Sequence, residues 1–417
     1  MAKILLHSLL FSPDATANSY IFSDLAIELQ KLGHEVSVIT TTPHYGVLKE
    51  NIQKQPLLKG KNKWYKISDF HNGIKCMHIV VPTEKGGMKQ RAITYVKFHH
   101  YAQKLVKIEE IKADIVISQS PPLTIGLVGA KIAKKLKAKS VYVVQDLFPD
   151  GPIEQGKIKN KALIWILRKL EKKVYRKNSA LVAISEGIQK NLSKRVPKGK
   201  NVTLIPNFVN TEIYRPHPYD IEYSEAHQLQ GKFVISYVGN IGNAHDLSPL
   251  IEAAVSLRDR NIEFLIAGNG IKQKYYEDMA REKHAENIRF LGYVQREETV
   301  KINSVSDLCL VMLASHVKGT SFPSKIYTLM GMKKPILLMS SKECDASNFV
   351  EKNGIGVFVE NGDTDGFISK IKELCNDSNR LEEFGKRGLD LVIKEYSKEK
   401  IGDCYDILIK QLLEKNL

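Results

Sequence analysis

The sequence has no apolar run approaching the roughly 20 residues a helical membrane span needs, which excludes an ordinary transmembrane helix. Cysteine is scarce. Its five residues (Cys76, Cys309, Cys344, Cys375 and Cys404) are scattered with no close pair at metal-ligand spacing, which argues against a zinc site and a disulfide framework. The opening Met1-Ala2-Lys3-Ile4-Leu5-Leu6 is soon interrupted by His7 and Asp14, too short a stretch for a secretory leader, so a cytosolic protein is expected. No short internal repeat or low-complexity tract is present. At 417 residues the chain is too long for one core and suits two domains of about 200 each. Its 43% hydrophobic and 26% charged residues are ordinary for a soluble globular protein.

Acidic charge is what the first half lacks. Residues 1–205 hold 35 Lys and Arg against 15 Asp and Glu, whereas 206–417 hold 27 against 31. A uniformly basic chain points to nucleic acid; one basic half and one near-neutral half point to a division of labour. Solvated lysine-rich faces account for part of the excess but not for the asymmetry.

Hydrophobic periodicity gives a short strand at 3–10, an amphipathic helix at 18–32 with Gly33 at its C-cap, and a strand at 35–41. This β-α-β unit starts a parallel sheet. Residues 49–75, rich in lysine and carrying Trp64 and Tyr65, read as a loop or excursion. Helices are expected at 93–111, 123–136 and 163–177, and strands at 114–118, 140–145, 180–185 and 202–205. The alternation then restarts, with strands at 233–238, 262–267, 288–291, 307–313, 335–339 and 356–359 and a helix at 247–258. The expected organisation is α/β: two doubly wound Rossmann-like domains, 1–205 and 206–395, with 396–417 a closing helix packing back towards the first. Ligands in such sheets sit beyond the carboxyl ends of the strands, so a cleft shared by two facing lobes is the expected site.

The strongest local signal is Thr320-Ser321-Phe322-Pro323-Ser324-Lys325, followed by a helical apolar stretch and Lys334-Pro335-Ile336. A Ser-Lys pair opening a helix supplies backbone N–H groups, a hydroxyl and an ammonium, which a diphosphate leaving group needs as charge develops on it. The plainer alternative is that Ser324 caps the helix and Lys325 decorates its first turn, although a lysine is mildly unfavourable there. Gly239-Asn240-Ile241-Gly242-Asn243 and Gly268-Asn269-Gly270 each follow a strand, where glycines let backbone approach a phosphate. Each turn is a weak signal alone; together with Ser324-Lys325 they are far less easily a coincidence.

With these residues in place, the whole chain resembles a family-4 glycosyltransferase of the two-lobed GT-B fold. Within that group it is most similar to bacterial surface-polysaccharide enzymes of the L-fucosamine (N-acetyl-L-fucosamine) transferase type. The matching stretches run end to end: Leu32-Gly33-His34-Glu35-Val36-Ser37-Val38, Ser118-Gln119-Ser120-Pro121-Pro122-Leu123, Asp146-Leu147-Phe148-Pro149-Asp150 (close to that group's Asp-Leu-Trp-Pro-Glu) and Ile205-Pro206-Asn207. They continue with Gly239-Asn240-Ile241-Gly242, the Gly268 turn, Phe290-Leu291-Gly292-Tyr293 and Pro323-Ser324-Lys325. The resemblance implies retaining transfer from a nucleotide-diphosphate sugar, with UDP favoured, and no cofactor. Lys325 would hold the diphosphate with help from Ser324, the Gly239–Gly242 turn would lie against the phosphates, and Gly292, Tyr293 and Val294 would contact the base. Enzymes of this type are described with front-face attack and no protein nucleophile.

The sequence also departs from that pattern. The family's paired glutamates, eight residues apart, fall at Thr320 and Thr328, the second of which would leave the ribose one hydroxyl and no carboxylate. Asn240 stands where a basic residue is expected, His245 where a later lysine is, and Ala15-Thr16-Ala17-Asn18 replaces an N-terminal Gly-Gly turn. Lys325 is therefore expected to carry an unusual share of the phosphate charge.

Asn18, Pro121 and Asp146 are the acceptor-side candidates. Asp146 either orients or deprotonates the acceptor hydroxyl or caps the following turn; His7, His99 and His100 are lesser candidates. Asp363-Thr364-Asp365 matches the Asp-x-Asp of metal-dependent transferases but precedes a helix at 366–374, so cap and first-turn acids are expected and no metal site. The resemblance implies a polyprenyl-diphosphate-linked saccharide acceptor at the inner membrane face, in capsule, O-antigen or related glycan synthesis. A basic, aromatic segment with Lys85, Lys89, Arg91, Lys97 and Lys104 among Ile93, Tyr95, Val96, Phe98 and Tyr101 could rest on an anionic membrane or simply pack as an amphipathic helix. A nucleotide-sugar 2-epimerase of the same fold is the first alternative, and a nucleic-acid-binding protein, suggested by the pI of about 9.3 but lacking a recognised motif, the second.

Overall fold

The computed structural model describes residues 1–44, 49–82 and 88–414. It divides into two compact units: unit 1 comprises Met1–Ile153, Ile158–Asn207 and Lys398–Leu417, and unit 2 comprises Glu154–Lys157 and Phe208–Ser397.

Unit 1 is built on nine strands: β1 (Lys3–His7), β2 (Glu35–Thr41), β3 (Leu58–Lys59), β4 (Tyr65–Phe70), β5 (Ile74–Ile79), β6 (Ile115–Gln119), β7 (Lys139–Val144), β8 (Ala180–Ala183) and β9 (Val202–Leu204). Their order is β3-β4-β5-β2-β1-β6-β7-β8-β9. From β5 to β9 every pairing is parallel, as the β-α-β start requires. The stretch expected as a loop at 49–75 instead holds a short helix (Lys49–Lys54), and most of an antiparallel hairpin. Its pattern hid it: β4 has Tyr65, Ile67 and Phe70, but buried Tyr65 and Ser68 are separated by exposed Lys66 and half-buried Ile67, so the strict two-residue alternation that announces a half-buried strand is missing. Three helices, Met88–Ile108, Ile125–Leu136 and Lys161–Lys177, pack side by side. The helix Lys398–Glu414 lies on Ala17–Lys31, where the His34 Nε2 and Asp406 Oδ1 atoms are 3.0 Å apart.

Unit 2 holds β10 (Phe233–Val238), β11 (Ile262–Ala267), β12 (Ile288–Gly292), β13 (Leu308–Met312), β14 (Ile336–Ser340) and β15 (Gly356–Glu360). All are parallel, in the order β12-β11-β10-β13-β14-β15. This is the doubly wound order in which chain direction across the sheet reverses beside the first strand, here between β10 and β13. Both sheet faces are covered, so β10 is apolar on each side: Ile235 and Tyr237 enter the larger core cluster and Val234 the smaller. Burying each such side chain contributes about 1.5–3 kcal/mol.

Candidate active site

Because the order reverses between β10 and β13, the crevice beyond their carboxyl ends is where unit 2 can take a ligand. The three strand exits on that edge are stitched together by backbone hydrogen bonds. Gly239 N–H donates to Ala267 (2.9 Å), Ile241 N–H to Asn269 (2.8 Å) and Gly268 N–H to Gly292 (2.6 Å). Ala314 N–H, on the exit of β13, donates to Ala244 (2.9 Å). Gly268 (φ +135°) could not be another residue without strain, since a Cβ there would collide with the Gly239 carbonyl.

Lys325 opens the helix Lys325–Gly331, which follows β13, and its side chain reaches Gly239. The ammonium is shielded from solvent and has no hydrogen-bond partner among the described residues. It lies 4.0 Å from the centroid of the Tyr237 ring, whose hydroxyl donates to the Asn240 carbonyl at 2.7 Å. A cation–π contact does not replace three lost water bonds. Burial accordingly lowers the Lys325 pKa from 10.5 to about 7. A group poised to gain or lose its charge near neutrality, with nothing paired to it, is the arrangement expected where an anion is to be received.

His245, half-buried beside it, is pushed down to about 3 by burial and then by the Lys325 and Lys272 charges. It is neutral at physiological pH, and its Nδ1 also lacks a partner among the described residues. Asn240 is exposed, and Gly242 is buried against the Asn240 side chain. Ser324 has helical backbone angles and makes no side-chain cap bond, so the capping alternative for it is overturned. Tyr293 is exposed and Val294 packs on the smaller core cluster, next to the Gly292 carbonyl that receives Gly268. Thr328 lines a cavity of about 110 Å³ with Lys325, Ser236, Cys309, Thr299 and Asn303, room for a few waters. Thr320 donates to Glu154 Oε2 (3.1 Å), which belongs to the four-residue segment that unit 2 draws from earlier in the chain. Sequence reasoning missed Tyr237, Glu154 and the cavity-lining side chains. For Tyr237 the available signal was its place two residues before Gly239 in the apolar run of β10; for Glu154 there was none.

In unit 1, Asn18 is half-buried in the first turn of the helix Ala17–Lys31, which Thr16 caps by accepting from Ser19 N–H (3.2 Å). Pro121 is exposed, in the exit of β6. Asp146 lies two residues past β7 with its side chain open to solvent. Dense protein surroundings nevertheless raise its carboxyl to about 6 through desolvation. No cap or ion pair involving Asp146 occurs among the described residues, and the helix that follows, Asp150–Glu154, starts four residues later. His7 and His99 are lowered to about 3 and about 4, mainly by burial. His7 stacks on Phe98 (ring centroids 5.0 Å apart) and meets Ser118 Oγ at 3.1 Å, which makes it a core histidine.

Asp363 caps the helix Thr364–Leu374 by accepting from Gly366 N–H at 2.8 Å, so the Asp-x-Asp has a structural role. No cluster of metal-ligating side chains occurs among the described residues. In the basic, aromatic segment at 85–104, Lys85 and the Lys89 side chain lie outside the described residues. Phe98 is buried and Tyr101 stacks on Trp64 at 4.4 Å, so these aromatics turn inward, leaving Ile93 and Val96 exposed.

A doubly wound parallel sheet with glycine exits and an ammonium unpaired among the described residues at its switch point is an α/β arrangement that can receive an anionic ligand. Residues 21–213 match the model for Glycosyltransferase Family 4 and residues 232–377 that for Glycosyl transferases group 1. The chain is a glycosyltransferase of this family-4 and group-1 type, with the GT-B fold of two parallel-sheet α/β domains. It is similar to the probable glycosyltransferase WbjE of Pseudomonas aeruginosa, with 24% identity over 72% of this chain and 76% of that one. The putative colanic acid biosynthesis glycosyl transferase WcaI of Escherichia coli K12 is 24% identical over 93% of this chain and 96% of its own. Among solved structures, Anabaena HepE in complex with UDP superposes with a TM-score of 0.71 at 15% identity, covering 98% of this chain and all of that one.

Proposed function

We propose that this glycosyltransferase moves a sugar, an N-acetylated deoxyhexosamine of the L-fucosamine kind, from a UDP-sugar to a polyprenyl-diphosphate-linked saccharide in capsule, O-antigen or related surface-glycan synthesis. The observation that carries the donor half is the shielded, unpartnered Lys325 ammonium against the Gly239 exit at the switch point of unit 2. A diphosphate there would pair a cation that burial otherwise leaves uncompensated, and its affinity for the ammonium would grow as the leaving oxygen gains charge. The linked exits at Gly239–Gly242 and Gly268 bring backbone to the phosphates, with Ser324 and neutral His245 as hydrogen-bonding partners. Tyr293 and Val294 lie on the neighbouring exit for the base, and Thr328 offers the ribose a hydroxyl. HepE, of the same fold, was solved with UDP, which favours this donor, and WcaI's name links it to colanic acid, which favours this pathway class.

Unit 1 is the acceptor unit in this proposal. Asp146, partnerless and raised towards neutrality, orients the acceptor hydroxyl or takes its proton, with Asn18 and Pro121 on neighbouring exits. The leaving diphosphate assists from the donor side, which retains the anomeric configuration without a protein nucleophile. No metal takes part, because Lys325 supplies the charge at the leaving group. The net positive charge of unit 1 keeps the protein on the anionic cytoplasmic face of the membrane.

Thermal unfolding with UDP, GDP or dTDP in EDTA tests the donor assignment. UDP raises the melting temperature most. A shift that needs a divalent cation removes the metal-free reading, and UDP-sugar conversion without any acceptor favours the epimerase.

A further inference from the structure

The helix Lys161–Lys177 has two unlike faces. Its inward face is fully occupied. Arg168 holds both oxygens of Asp150 (2.8 and 2.7 Å) and Glu171 (3.1 Å), while Arg195 and the Tyr175 hydroxyl also reach Glu171, at 2.9 and 3.0 Å. Asn160 caps the start by accepting from Leu163 N–H at 3.0 Å. The helix is therefore fixed in its rotation about its own axis.

That fixed rotation leaves Leu163, Trp165 and Ile166 outside, at 44%, 59% and 54% exposure. Three large apolar side chains on one short stretch are not the scattered single residues that any surface carries. Lys169, Lys172 and Lys173 continue the outward surface over the next turns, and the Lys169 ammonium sits 3.5 Å from the Trp165 ring centroid. The helix thus leads with apolar groups and follows with cations.

Its neighbours extend the pattern. The helices Met88–Ile108, Ile125–Leu136 and Lys161–Lys177 carry fifteen lysines and arginines against one carboxylate, Glu171, which is turned inward. Ile93 and Val96 are exposed on the first of them. A face without exposed carboxylates repels its own copy, and apolar residues among the cations gain little from a hydrophilic polyanion. An anionic lipid surface satisfies both kinds of residue, because phosphates lie above hydrocarbon.

We propose that the helix Lys161–Lys177 is the element by which unit 1 lies on anionic lipid. Leu163, Trp165 and Ile166 enter the headgroup boundary, while Lys169, Lys172 and Lys173 rest on lipid phosphates. This rests on the membrane reading above and assigns it to a helix outside the basic segment at 85–104. The Arg168–Asp150 pair also ties the docking helix to the turn that begins at Asp146, so the lipid surface and the acceptor-side acid share one rigid element.

Each cation near an anionic surface contributes about 1 kcal/mol, or about fivefold in binding. The test uses the full chain with phosphatidylglycerol–phosphatidylcholine vesicles and with phosphatidylcholine alone. In a Trp64→Phe background, Trp165 emission shifts to the blue and loses iodide quenching on the anionic vesicles only. Replacing Lys169, Lys172 and Lys173 by Gln weakens sedimentation with them about a hundredfold, and Trp165→Ser with Ile166→Ser weakens it at unchanged melting temperature. Anionic-vesicle binding with silent Trp165 and indifferent variants overturns the helix assignment while the membrane reading stands. No vesicle binding at all overturns both. Loss of a dimer in the Trp165→Ser, Ile166→Ser variant makes the face a contact between copies, and RNA displacing the protein from vesicles makes it a polyanion surface; either result overturns the lipid assignment.

Discussion

The two units share a doubly wound plan, yet they place their polar exceptions in opposite positions. Unit 2 hides its exception: among the described residues one ammonium, that of Lys325, is shielded and unpaired, and it lies beneath glycine exits at the strand-order reversal. Unit 1 reverses its strand order between β1 and β6, and there a neutral, buried His7 stacks on Phe98 and contacts Ser118, with its Nε2 unpartnered among the described residues but carrying no charge. Its exceptional charge is spread over outward helix faces instead. The shared fold therefore does not assign the roles; the location of uncompensated charge does. One buried cation suits a small anion, and a broad exposed set of cations suits an extended surface.

The comparison breaks first at Lys325. Removing one preorganised charge at a leaving group typically costs on the order of 10²–10³ in rate, roughly 3–4 kcal/mol. Lys325→Ala should lower UDP release from a UDP-sugar by at least that factor. The ligand-free protein should melt no lower, since the deleted ammonium was desolvated and unpaired. Lys325→Arg should restore only part of the rate, because a planar fork does not fit a place made for a compact ammonium. Steady-state kinetics beside melting curves check this, and a folded Lys325→Ala enzyme with near wild-type turnover assigns the leaving-group charge elsewhere.

A smaller effect separates the glycine exits from ordinary turns. Gly268→Ala puts a Cβ against the Gly239 carbonyl at a φ of +135°, so unit 2 should lose about 1–3 kcal/mol and UDP binding should weaken with it. Denaturant unfolding together with UDP titration measures both. An unperturbed Gly268→Ala protein contradicts the close stitching of the exits.

The pH response sharpens the comparison further. Lys325 is depressed to about 7 from 10.5. Between those values the unfolded chain binds more protons, so the ligand-free protein gains stability as pH rises through this window and loses it again as pH falls towards 7. Donor binding shows the opposite trend. A diphosphate favours the charged lysine, so UDP binding takes up protons above pH 7 and weakens by up to about tenfold per pH unit. Calorimetry in buffers of different ionisation enthalpy reports the uptake, which should vanish in Lys325→Ala. The smallest expected change is at Asp363. Its loss as an N-cap costs about 1 kcal/mol, and turnover in EDTA stays unchanged.

Much of unit 2 was legible before its structure was known. The strands 233–238 and 262–267 fall at their observed limits, since buried parallel strands are continuous apolar runs between glycine punctuation. Gly239, Gly268 and Lys325 were legible as candidates because turn glycines and a Ser-Lys helix start are local patterns. The isolation of the Lys325 ammonium was not, because it depends on Tyr237 and Gly239 meeting it in space. Unit 1 was less legible. The hairpin at 65–79 was expected as a loop up to residue 75, and the helix expected at 163–177 did not reveal that Leu163, Trp165 and Ile166 face water. Helical periodicity gives the existence of a face, but only the partners of Arg168 and Glu171 decide which face turns inward.

Hydrogen exchange on the full chain, with and without UDP in EDTA, tests the central claim most directly. Ligand at a hundredfold excess over Kd stabilises the binding fold by about 2.7 kcal/mol. The account predicts protection at 239–245, 268–272, 292–294 and 325–328, weakened throughout in Lys325→Ala, with the β1 and β6 exits of unit 1 unchanged. Protection confined to unit 1, or equal protection of the unit 2 exits in Lys325→Ala, would contradict it.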